Sequence, residues 1–218
     1  MSTFFWSLWI ALNNIHFGYF ITEISLLWNY TPWIYTSFFA GQHATIRHHY
    51  NIWANLTNQI FAAVVALLVG HYVKIGRRRM LLIANVIVII SSWVMMVDNF
   101  IILMIGRWLR GVCSGIVSVT VPLFINEICT QNHKNIQLAL IELFITVGSF
   151  AVYFISIFLP EINIPPNESK TEEFWASVQD KFIPWRIVFI LPVIPALAII
   201  LLLLFKFKND TFVIFGIK

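Results

Sequence analysis

Several ionisable side chains sit inside long apolar runs of this chain. Glu23 lies in the first run, Arg107 and Arg110 in a later one, Glu127 near its far end, and Glu142 in the next. Arg77, Arg78 and Arg79 form a basic turn just before Met80. Charge inside a membrane is costly and marks a path, a pair or a gate. Arg107 and Arg110, at i,i+3, share one helical face. Near the outer end of a span they must meet water, headgroups or carboxylates. Glu127, at the opposite end, lies within reach of the basic turn, and an ion pair there opens at modest cost because near-surface pairs are weak. Glu142 can accept hydrogen bonds from hydroxyls but must be solvated or paired. No nucleophile–base pair, Gly-rich phosphate loop or metal motif accompanies these groups, so neither an enzyme nor a cofactor is expected.

Composition says which elements must position them. Of 218 residues 59% are apolar and 11% charged, with mean hydropathy +0.81. A soluble domain carries about a quarter charged residues, so this chain has too little polar surface to be covered by water. Its net charge of +4 is not a nucleic-acid signature, because the basic residues cluster at span ends. About 20 apolar residues cross a bilayer as a helix. Six such spans are expected: Phe4–Leu27, Trp53–Tyr72, Met80–Val97, Ile101–Ile125, Leu138–Leu159 and Ile187–Phe205. The fold class is therefore all-α, a polytopic bundle forming a single membrane domain over residues 1–218. No basic residue precedes the first run, so a retained span is expected rather than a cleaved signal. Cys113 and Cys129 have no zinc or redox spacing and are expected to be buried apolar residues.

Lys and Arg counts set the direction. One side receives eight: Lys74, Arg77, Arg78, Arg79, Lys134, Lys206, Lys208 and Lys218. The other receives three: Arg47, Lys170 and Lys181. The first side is expected to be cytoplasmic, with both termini, and the long loops Asn29–Ile52 and Pro160–Arg186 to face out. Asn29 and Asn167 in those loops match glycosylation acceptor patterns. The three arginines can bind anionic headgroups, carboxylates or helix C-termini, and Gly76 permits the tight turn before them. Gly111 and Gly115 form a small-residue stripe for close packing. His16, near Asn13 and Asn14, either faces a cavity or takes part in hydrogen bonding between helices. His43, His48 and His49 share an outer loop without a carboxylate or cysteine partner, so no metal site is expected.

The run Gly106-Arg107-(x)3-Gly111-(x)3-Gly115-(x)6-Pro122-(x)4-Glu127 resembles the fourth span of the sugar porter family of the major facilitator superfamily. Gly76-Arg77-Arg78 resembles that family's loop between spans two and three, and Phe17-Gly18-Tyr19 its first-span signature. Gly148 stands at the fifth-span glycine, and Trp185-Arg186 with Ile194-Pro195-Ala196-Leu197 resembles the sixth span. The likeness covers the N-terminal six-span half of a twelve-span carrier. It implies a sugar or polyol substrate bound between two halves, alternating access by rocking, and a cytoplasmic gate of Arg77, Arg78 and Glu127.

Four departures bear on that reading. Val73 stands where an acidic or amide residue is usual, and Lys134-Asn135 replaces an Arg-Gly pair. Phe20 stands where proton-coupled members carry Asp, while Glu23, i,i+3 from it, lies one turn further out. Glu23 is either a relocated proton-coupling acid, paired with Arg107 or Arg110, or a carboxylate that snorkels to the interface. Glu142 replaces a Gln that touches sugar. The substrate path is thus assigned to Glu23, Arg107, Arg110 and Glu142, facing a hydrated crevice shared with a second bundle. The half length leaves three forms open: a fragment of a longer carrier, a half that dimerises, and a non-transporting membrane interaction protein.

Overall fold

A computed structural model describes residues 2–27, 44–72, 76–97, 99–128, 134–158 and 184–205, and every regular element among them is helical. In chain order these are α1 (Ser2–Ala11), α2 (Asn14–Leu27), α3 (Ala44–Tyr72), α4 (Arg77–Val94), α5 (Phe100–Ile128), α6 (Lys134–Ser156), α7 (Pro184–Ile190) and α8 (Val193–Phe205). Four stretches are long and apolar enough to cross a membrane: Ile52–His71, Ile101–Ile128, Asn135–Ser156 and Arg186–Phe205. α5 is the axis of the bundle, with 61% of its apolar window buried against 17% for α3 and for α6. α3 and α4 pack along α5, α2 along α6, and α8 on α4.

Two expected spans are broken. The first divides at Leu12-Asn13, where the Asn13 amide donates to the Ile10 carbonyl at 2.9 Å and the Asn14 amide to that of Ala11 at 3.3 Å. Side chains that bond their own backbone compete with the helical ladder, and the turn tightens to Ile15 N–H donating to Leu12 O. The last divides at Leu191-Pro192, since proline lacks the N–H a continuing helix needs and disfavours helical geometry in the residue before it. Pro122, by contrast, sits inside an unbroken α5. α3 begins at Ala44, so His48 and His49 belong to a helix rather than to the expected loop. Cys113 is buried, as expected. Asn29, His43, Cys129 and Asn167 lie outside the described residues.

Glycines set the closest approaches. A Cβ on Gly18 would strike the Ile145 carbonyl, and one on Gly148 the Ile15 carbonyl, so α2 and α6 meet backbone to backbone. Gly111 and Gly115 face α3, where a Cβ would lie 2.6 Å from the carbonyls of Asn58 and Ala62. Small residues permit such contacts between apolar helices. Gly76 caps α4 at φ 106°, a conformation that L side chains rarely adopt.

The outer faces separate by chemistry. Along α4 the exposed positions past the first turn are Ile83, Val86, Ile90 and Trp93, and along α8 they are Ile194, Leu197, Ala198, Leu201, Leu204 and Phe205. These stripes at helical spacing suit acyl chains.

Candidate functional site: a buried ion pair, a basic latch and a polar stripe on α6

Glu23 and Arg110 are both fully buried and form an ion pair across α2 and α5. The same guanidinium donates to the Phe189 carbonyl at 3.0 Å and the Ser92 hydroxyl at 3.3 Å, and so joins α2, α4, α5 and α7. It lies over the Phe20 ring at 4.7 Å and near the Phe189 ring at 5.5 Å, a stacking that guanidinium favours. Arg107, also fully buried, donates to the Phe20 carbonyl at 2.8 Å. One carboxylate thus stands among two guanidiniums in a buried core, and among the described residues one of its oxygens, Glu23 Oε1, has no hydrogen-bond partner.

The helix break at Pro192 supplies acceptors for this cluster. Without a proline N–H, the Val188 carbonyl four residues back loses its helical donor. The Tyr19 hydroxyl donates to it at 2.7 Å. Phe189 O, also in the last turn of α7, is taken by Arg110, and a cation there complements the helix dipole.

Sequence reasoning paired Glu23 with Arg107 or Arg110, and the structure selects Arg110. It expected these ionic groups to face a crevice shared with a second bundle, whereas Glu23, Arg107 and Arg110 lie inside the core of this one. The desolvation of three charged groups is offset by the pair and by backbone carbonyls. Asn13, Asn14 and His16 are likewise buried, and His16 lines a small cavity with Tyr19, Ala151 and Pro192. Asn85 donates to Asn13 Oδ1 at 2.8 Å, tying the first span to α4, and His16 stacks on Phe20 at 5.9 Å.

At the other end of α5, Glu127 forms an ion pair with Arg77, whose side chain is 10% exposed against 27% for Glu127. Arg78 Nε donates to the Leu203 carbonyl at 3.0 Å, in the last turn of α8. The basic turn therefore latches the ends of α4, α5 and α8, through Arg77 to Glu127 and through Arg78 to the Leu203 carbonyl.

Glu142 stands apart from both clusters, exposed on α6. That helix carries two stripes one residue out of phase. Ile136, Leu143, Val147, Phe150 and Phe154 form an exposed apolar one. Asn135, Glu142, Thr146 and Tyr153, with Ser149 half-buried, form a polar one at the same spacing. The Ser149 hydroxyl donates to the Gly18 carbonyl at 3.1 Å and that of Thr146 to the Glu142 carbonyl at 2.9 Å. Sequence reasoning found Glu142 but missed this stripe, although its 7, 4, 3, 4 spacing was readable. It also missed Phe20 as a partner of both arginines, together with Ser92 and Phe189. Among the described residues no group of three His, Cys, Asp or Glu side chains could hold a metal ion.

Known proteins of similar sequence and shape agree on the class. Hexose transporter 1 of Plasmodium yoelii yoelii is 33% identical over 147 residues, covering 65% of this chain and 27% of that protein. The galactose-proton symporter of Escherichia coli (strain K12) is 26% identical over 154 residues, covering 69% and 31%. The crystal structure of a D-xylose-proton symporter superposes with a TM-score of 0.73 at 20% identity, covering 94% of this chain and 48% of that one. A partially occluded inward-open form of the xylose transporter from E. coli gives 0.75 at 20% identity, covering 97% and 49%. The chain thus spans about half the length of these solved structures, and its match covers under a third of the curated relatives. The profile of the family described as Sugar (and other) transporter matches residues 6–206, and the chain belongs to that family, as an integral membrane protein of the major facilitator fold.

Proposed function

We propose that this bundle is one half of a carrier that moves a sugar or polyol across a membrane by alternating access. The polar stripe of α6 carries the reading: Glu142 lies about two turns inside a membrane helix, beside an exposed apolar stripe that suits acyl chains. A carboxylate so placed needs water or a partner bundle. A second six-span unit, further along the chain or from a second copy, would complete the crevice, and hydroxyls along α6 would meet those of the substrate. Lys and Arg distribution puts the Arg77–Arg79 turn and both termini on the cytoplasmic side.

Glu23 is the coupling acid in this reading. Protonation would release Arg110 and loosen the junction of four helices, so proton binding and rocking are linked. The test is counterflow and gradient-driven uptake of labelled hexoses, pentoses and polyols in proteoliposomes. Uptake should rise when the outside is made acidic. Glu23→Gln should abolish that dependence while sugar exchange persists. Unchanged pH dependence would remove the coupling role, and no uptake of any of these solutes would contradict the carrier.

Arg77, Arg78 and Glu127 form the cytoplasmic gate. Exposed ion pairs contribute roughly 0.2–1 kcal/mol; this one is partly buried and holds a gate that substrate can reopen. Arg77→Ala and Glu127→Gln should each speed labelling of Ser118→Cys, an exposed position on α5, from the cytoplasmic side by up to about fivefold. The double variant should do no more than either alone. Additive effects would show that the two side chains do not act as a unit.

A further inference from the structure

Glu142 is the only carboxylate in α6, and among the described residues no basic side chain forms an ion pair with it. The groups sharing its stripe are neutral: Asn135, Thr146, Ser149 and Tyr153. In a carrier that alternates access, the bound state closes over its solute and excludes water. An ionised carboxylate enclosed with a neutral polyol would keep its hydroxyl bonds but lose its hydration without neutralisation, which is costly. A solute bearing an ammonium group removes that cost, because N–H donors meet the carboxylate as charge-assisted bonds.

Resting on the carrier reading above, we infer that Glu142 sets the substrate class: the site takes a protonated amino sugar in preference to a neutral hexose. The ring hydroxyls meet the neutral groups of the stripe and the ammonium meets Glu142. The stripe thereby recognises both halves of one molecule.

Binding to the assembled carrier in detergent, its second six-span unit included, monitored by thermal stabilisation at mildly acidic pH, tests this. Four probes separate the contributions: glucosamine, N-acetylglucosamine with its amine neutralised, glucose, and ethanolamine, which carries the ammonium without the ring. Glucosamine should bind at least about tenfold tighter than the other three, a difference of about 1.4 kcal/mol. Glu142→Gln should bring it level with glucose. Three results would overturn the inference while leaving the carrier intact. These are equal binding of glucose and glucosamine by the native chain, a preference that survives Glu142→Gln, and ethanolamine binding as tightly as glucosamine. Loss of pH-dependent uptake in Glu142→Gln with the sugar preference unchanged would also overturn it, by making Glu142 a proton site. Stabilisation by none of the sugars would contradict the carrier reading and this inference together.

Discussion

Glu23→Leu should destabilise the bundle by roughly 3–5 kcal/mol, the cost of leaving a buried guanidinium without its partner. The loss falls on Arg110, which has no exposed surface through which to recover water. Its remaining partners, the Phe189 carbonyl and the Ser92 hydroxyl, are neutral. Removing both charges, in Glu23→Leu with Arg110→Met, should recover most of the stability, because an apolar replacement of a buried pair is often neutral or better. Thermal unfolding in detergent measures all three proteins. If the double variant were as unstable as Glu23→Leu, the pair would not be the source of the effect. Recovery of stability without recovery of pH-dependent uptake would separate the structural from the coupling role.

Gly148→Leu should be nearly as damaging. Even a methyl group there meets the Ile15 carbonyl, which belongs to a helix backbone and cannot rotate aside. α2 and α6 must separate, and the Ser149 to Gly18 hydrogen bond is lost with the contact. Overpacking costs roughly 1–3 kcal/mol or more, and Gly148→Ala should show the lower end of that range. Gly70 is the control. It is helical, and a Cβ there meets nothing within 4 Å, so Gly70→Ala should stabilise by roughly 0.4–1 kcal/mol through lower backbone entropy. Melting of the three variants side by side distinguishes steric cost from a general intolerance of substitution at glycine.

The helices were legible where apolar length alone defines them, as in Ile101–Ile128 and Asn135–Ser156. α3 extends to Ala44 because hydropathy marks only the part of a helix that matches the bilayer, and its first turns carry Arg47, His48 and His49. The two breaks had visible signals in Asn13-Asn14 and Pro192, but Pro122 is an equally visible signal in a helix that does not break. Packing decides between them. Glu23 was legible as an intramembrane acid, and its i,i+3 offset from Phe20 placed it near Arg107 or Arg110. Only the register of α2 against α5 selects Arg110. The carbonyls of Phe20, Val188 and Phe189 had no signature, since every residue has one and only tertiary structure shows which are unclaimed. The contact of Arg77 with Glu127 was foreseeable from charge and from opposite span ends. That the three core charges turn inward was not, because a helical face read from sequence does not say which neighbour it meets.

Labelling of neighbouring cysteines on α6 tests most directly whether this helix borders an aqueous path. In chains with Cys113 and Cys129 replaced by alanine, Thr146→Cys and Val147→Cys would be exposed to a membrane-impermeant thiol reagent in sealed vesicles. A transport path predicts labelling at position 146, slowed by bound sugar, and none at position 147, on the neighbouring apolar stripe. Labelling at neither position, or equally at both, would contradict it.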